Sequence, residues 1–167
     1  LFLPDKYDDL VYQFTNASYL LEDDRLPPME EYLMAFKDEA LKNQMKSFYL
    51  DKKHPQYKDP TKAALLSTFI PGLGKIYTSN YTDGITAFLL TGVLSFLAYD
   101  NFNAEHPVRG AIFSAAAAFF YGGNIYGSAS SAKIYNAKVD TDLHKKVENY
   151  IRKKNYLSAE YEFLENQ

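Results

Sequence analysis

The sequence predicts an all-α protein built around a membrane-embedded helical hairpin, and three observations lead to that expectation. Two long stretches, 84–99 and 110–132, contain no charged residue. Both lie between blocks of charge, so the mean hydropathy of −0.34 averages two unlike kinds of sequence. The polar remainder repeats its apolar residues at i, i+3, i+4 and i+7, the spacing of helices with one buried face. In full, the expected architecture is an integral membrane helical hairpin led by a broken interfacial or re-entrant helix and flanked by amphipathic soluble helices. The boundaries fall at 1–59 for a soluble helical hairpin, 60–138 for the membrane unit and 139–167 for an amphipathic C-terminal helix.

Bulk composition narrows the function classes. A chain of 167 residues has room for one compact domain, or for a small membrane unit with soluble pieces on either side. A net charge of −3 provides no basic field for nucleic acid. Cysteine is absent, which excludes a disulfide framework and a thiol nucleophile. Tryptophan is also absent, while Tyr and Phe number 15 and 12. The first residue is Leu1 rather than Met, which leaves open whether a signal peptide precedes it.

The first helix is expected to bury Tyr7, Leu10, Val11, Phe14, Ser18 and Leu21. Leu26-Pro27-Pro28 ends it, because a residue before proline is pushed out of the α region, and Pro28 suits the opening of the next helix. A second stripe then runs through Met29, Leu33, Phe36, Ala40, Met45 and Phe48. Lys52 and Lys53 close it at the negative end of the helix dipole. Two helices with such narrow stripes bury too little alone, so they require either more chain upstream or a partner. The tail from Thr141 has its own apolar face, at Leu143, Val147, Tyr150, Ile151, Leu157, Tyr161 and Leu164.

Asp59-Pro60 opens the membrane unit with AALLSTFIPGLGKIYTSNYTDG. Residues 63–70 can form two helical turns, but Pro71 removes a backbone donor and clashes with the turn before it. Gly72 and Gly74 allow backbone angles and close approaches that other residues resist. The expected product is a short helix, a bend at Pro71, Gly72 and Gly74, and a second short piece carrying Lys75. In lipid such a break persists only where protein or water satisfies the freed polar groups. Residues 63–77 are therefore read as interfacial or re-entrant, with a kinked full span as the alternative.

Asn80, Thr82 or Asp83 can cap the helix that follows. Its sixteen uncharged residues reach about 24 Å, somewhat short of a hydrocarbon core of about 30 Å. The stretch 110–132 reaches about 34 Å, enough to cross. Along it Gly123, Gly127 and Ser131 recur every four residues, a face that lets another helix come close and marks a helix-packing or partner interface. Asn124 on the same helix is expected to hydrogen-bond across to Thr91 or Ser95. Tyr77, Tyr81 and Tyr99 bracket the first run and Tyr121, Tyr126 and Tyr135 lie along the second, where amphipathic rings suit a bilayer interface. Basic residues on both flanks match a hairpin with cytoplasmic ends. The competing reading is a soluble bundle with two buried central helices, although a chain this short has few outer elements to cover them.

With PGLGKIY, TDGITAFLLTG and FYGGNIYGSASSAKIYN in this order, residues 60–136 resemble a bacterial family of two-transmembrane hairpin-like envelope units. That family joins an Ala-rich opening, a Pro-Gly-x-Gly-x-x-Tyr motif, a short apolar helix near Asp-Gly and a closing Tyr-x-Gly-Asn segment. It often follows tetratricopeptide-type helices, to which residues 1–55 are similar, and some members resemble segments associated with the membrane-protein insertion efficiency factor. Where the family often has Gln after the second motif glycine, this chain has Lys75. The resemblance implies a bacterial, inner-membrane setting and no catalytic residues.

The residues themselves carry no catalytic constellation. His54, His106 and His144 are widely separated, and no HExxH, CxxC or Ser/His/Asp pattern occurs. Gly72-Leu73-Gly74 lacks the spacing of a phosphate loop. No catalytic, metal or cofactor residues and no small-molecule substrate are expected. Lys75 is either a functional cation within the membrane or a side chain that snorkels to lipid headgroup phosphate. The expected function is a non-enzymatic scaffold or accessory subunit of a larger envelope complex, with other membrane subunits and the lipid bilayer as partners. The alternative is assistance in membrane-protein insertion or lipid handling.

Overall fold

A computed structural model describes residues 5–22 and 26–154, and every regular element among them is a helix. In chain order these are α1 (Asp5–Ser18), α2 (Met29–Met34), α3 (Glu39–Lys53), α4 (Pro60–Phe69), α5 (Leu73–Tyr77), α6 (Tyr81–Asn103) and α7 (Pro107–Lys154). The chain divides into two compact units, one made of Leu1–Gln56 with Val139–Gln167 and the other of Tyr57–Lys138. Helix α7 supplies residues to both and is not interrupted near 138. The expected apolar positions Leu157, Tyr161 and Leu164 lie outside the described residues.

In the first unit, the buried cluster joins Ala17 and Leu20 to Tyr32, Phe36, Leu41, Met45 and Tyr49. The C-terminal stretch closes it with Leu143, Val147 and Tyr150. The cover was expected from chain upstream or from a partner, but it comes from this chain's own downstream segment. Phe36 and Met45 are buried as expected, while other positions of the two stripes shift from their expected register. Val11 is half exposed, while Ala17 and Leu20 are fully buried. A single second helix was expected, but two form, because Asp38 stops the chain and caps α3 by accepting a hydrogen bond from the Leu41 amide at 2.8 Å. The new start puts Leu41, Met45 and Tyr49 on the buried face and leaves Ala40 exposed. The ring of Tyr32 packs 5.5 Å from that of Phe36 and 5.2 Å from that of Tyr49.

Val147 is fully buried in this cluster. Val147→Asp would put a carboxylate among apolar side chains, at a cost of at least about 2 kcal/mol. Its thermal midpoint, followed by circular dichroism, is expected to fall. An unchanged midpoint would mean that the C-terminal stretch does not close this core.

The first helix of the second unit is capped by Asp59, whose Oδ1 accepts from the amides of Thr61 and Lys62 at 2.7 and 3.2 Å, with Pro60 in the first turn. Helix α4 stops at Phe69 and α5 begins at Leu73, on either side of the Pro71-Gly72 pair. Gly72 has φ 87°, a left-handed conformation open to glycine. Helix α6 has 23 residues, about 34 Å of axial length, because it extends beyond the uncharged stretch at both ends. Among the described residues it alone is long and apolar enough to cross a membrane. The 110–132 stretch of α7 was expected to cross as well. It lacks charge, but its Gly, Ser, Tyr and Asn residues dilute its apolarity.

Candidate functional site

The Pro-Gly knuckle is held by backbone approaches that only hydrogen-sized side groups permit. A Cβ on Gly72 would stand 1.9 Å from the Gly84 carbonyl oxygen, and one on Gly74 would stand 1.9 Å from that of Ala63. Gly84 is constrained less tightly, since its Cβ would lie 2.7 Å from Ile76 Cγ1 and 2.8 Å from the Gly72 carbonyl oxygen. A relay of hydrogen bonds ties the knuckle to α7. The Gly74 amide donates to Ser67 Oγ at 2.9 Å, and Ser67 Oγ lies 2.7 Å from Ser128 Oγ. Ser128 donates in turn to the Asn124 carbonyl at 2.8 Å, so Ser67 is the donor to Ser128. Every member of the relay is satisfied, the condition under which a buried polar network specifies one arrangement.

Further along, Thr78 donates to the Lys75 carbonyl and meets Ser131 Oγ at 2.6 Å. Asn136 clamps the backbone of Lys58, accepting from its amide at 2.7 Å and donating to its carbonyl at 2.9 Å. The Lys58 ammonium lies over the rings of Tyr77 and Tyr135, 4.8 and 5.6 Å from their centroids. Tyr77 and Tyr135 thus hold a cation of their own unit. Tyr81, Tyr99 and Tyr126 remain exposed.

Beside the knuckle lies an open cavity of about 370 Å³ between α5, α6 and α7. Lys75 and Asp83 line it, and so do Thr86 and Thr91. Ala87, Leu90, Phe119 and Phe120 supply its apolar wall. Gly123 and Asn124 complete it. Lys75 is half-buried and makes no ion pair among the described residues, although it shares the cavity with Asp83. Asp83 accepts a hydrogen bond from Asn80 at 3.0 Å.

The expected small-residue face divides into three surroundings. A Cβ on Gly123 would meet nothing within 4 Å, so that position opens on the cavity. A Cβ on Gly127 would lie 3.5 Å from Lys75 Cε and 3.7 Å from its Nζ. Ser131 bonds Thr78. The last two positions therefore face α5 of the same chain.

The expected bond from Asn124 to Thr91 or Ser95 is not made. Asn124 is 5% exposed, and neither its Nδ2 nor its Oδ1 has a hydrogen-bond partner. Thr91 lines the same cavity without bonding to Asn124, and Ser95 is exposed. Sequence reasoning missed Asp83 as a cavity residue and Ser67 and Ser128 as its bracing. A lone serine in the apolar run 63–70, with Ser128 and Ser131 one turn apart, was the available signal. Among the described residues, no three His, Asp or Glu side chains converge to hold a metal ion.

These features define an all-helical chain with one helix able to span a bilayer and a cavity of mixed polarity at one end of that helix. No family model, curated protein or solved structure matches the chain.

Proposed function

We propose that the chain is a non-enzymatic scaffold or accessory subunit of a larger complex in the bacterial cell membrane, with its second unit embedded in the bilayer. One observation carries this reading. The most apolar window of α6 is only 11% buried, so α6 is not the covered core helix of a soluble bundle. Its Phe88, Leu89, Val93 and Phe96 are each more than half exposed. An apolar surface of that extent needs lipid or another protein against it. Ile112, Phe119 and Tyr126 on α7 are also exposed, which supports a second crossing that makes a hairpin with α6. Both expected partner positions on the Gly127–Ser131 side are turned toward α5, so the surface offered to other subunits is the outer face of α6 and α7. The resemblance of residues 60–136 to two-transmembrane hairpin units points the same way.

Washing membranes with alkaline carbonate tests the bilayer placement. The chain is expected to stay with the vesicles, and its release as a dispersed monomer would reject the proposal. Extraction in gentle detergent should then bring other membrane subunits with it. A second reading, assistance in membrane-protein insertion or lipid handling, is favoured by the orphaned Asn124 amide and the Lys75 ammonium in one cavity.

A further inference from the structure

A buried amide with neither donor nor acceptor satisfied costs about 1–3 kcal/mol, and native structures rarely keep one without a reason. The Asn124 side chain is such a group, and it lines a cavity that also holds an unpaired ammonium and a carboxylate. We infer that this cavity binds the head and first acyl segment of a phospholipid carrying both a phosphate and a primary ammonium, as an ethanolamine head does. The inference rests on the bilayer placement proposed above and names the ligand of that site.

The order of groups along the helices supports it. Asp83 lies in the first turn of α6, and Thr91 lies eight residues deeper, about 12 Å along the axis. On α7, Lys75 lies over Gly127, and Phe119 is eight residues away, again about 12 Å. The charged end is thus at the start of the membrane span, and the apolar wall of Leu90, Phe119 and Phe120 runs inward from it. Lys75 would take the phosphate as a charge-assisted donor, and Asp83 would accept from the ammonium. Opposite charges that share a cavity without pairing suit a zwitterion better than a simple anion, which Asp83 would repel. Asn124, between the two ends, would donate to a glycerol ester carbonyl. The glycines have a role in this. Gly123 leaves the cavity open, and Gly127 gives the lysine tail its seat.

The test uses the full chain, purified in detergent, stripped of lipid and titrated by native mass spectrometry. The probes are phosphatidylethanolamine, phosphatidylglycerol, phosphatidylcholine and soluble phosphoethanolamine. Phosphatidylethanolamine is expected to bind about tenfold more tightly than the other two lipids, the worth of one charge-assisted hydrogen bond. Lys75→Gln and Asn124→Leu should each weaken it by about tenfold. Gly123→Leu should fill the cavity and abolish binding, while Gly122→Leu, whose added atoms also meet open space but outside the cavity, should leave it unchanged. Should Gly123→Leu fail to fold, the Lys75 and Asn124 variants decide the outcome. Binding of phosphoethanolamine as tight as that of the lipid would make the free head the ligand and remove the acyl part of the inference. Equal uptake of the three lipids, or uptake indifferent to all three cavity variants, would overturn it. If carbonate-resistant protein shows no lipid preference, the inference fails alone. Carbonate release removes the bilayer placement with it.

Discussion

Gly72→Ala is expected to prevent the second unit from assembling. Two independent penalties fall on one methyl group. Gly72 has φ 87°, where an alanine carries about 1–2 kcal/mol of strain. The added Cβ would also stand 1.9 Å from the Gly84 carbonyl oxygen, 2.8 Å from its carbon and 3.1 Å from its Cα. All three are backbone atoms of α6, so no rotamer change relieves the contact. Helix α5 would have to move off α6, breaking the seat of Lys75 and the bond from Gly74 to Ser67. The combined loss should exceed about 4 kcal/mol, the range reserved for severe core damage. Thermal unfolding and protease resistance in detergent would measure it. Gly92→Ala is the matched control, because its Cβ meets nothing within 4 Å. It should be neutral or stabilising by up to about 1 kcal/mol through helix propensity. If the two variants behaved alike, the close approach of α5 to α6 would be wrong.

Val93→Arg combined with Phe96→Arg is expected to remove the protein from the carbonate-resistant membrane fraction. Both side chains are exposed, at 55% and 64%, in the middle of α6. Exposure makes the outcome depend on the surrounding medium. On insertion scales, an arginine at the centre of a span costs about 2.5–3.5 kcal/mol. In water, a surface substitution changes stability by no more than about 0.5 kcal/mol, and added charge improves solubility. The two environments therefore predict opposite signs for the same variant. Loss of membrane-bound protein supports lipid around α6. A higher yield of folded, water-soluble chain would place water there and reject the bilayer reading.

What could be read from the sequence was local. Asp59-Pro60 marks a helix start because a side-chain acceptor and a proline both suit the first turn. The interruption at Pro71-Gly72 is equally local, since proline ends the hydrogen-bond ladder wherever it occurs inside a helix. Where local signals competed, the sequence was ambiguous. Asp38 capped α3 inside what read as one continuous stripe, and Leu41 and Tyr49 took the buried places expected for Ala40 and Phe48, while Met45 kept its own. The candidate site was legible only in part. Lys75 stood out as a charge in an apolar stretch, whereas Asp83 read as a helix cap and Asn124 as a bonded residue.

The sequence by itself determined that the chain is helical, where its apolar stretches lie and where its glycine break falls, because backbone angles and hydrophobic period are properties of neighbouring residues. Only the tertiary structure decided that Leu143, Val147 and Tyr150 close the core begun by Ala17 and Leu20. It also decided that Gly72 and Gly74 serve close approach while Gly123 leaves a hollow beside an unpaired amide. A helical period tells which face of a segment is buried, but not what it is buried against. That choice belongs to contacts between residues far apart in the chain.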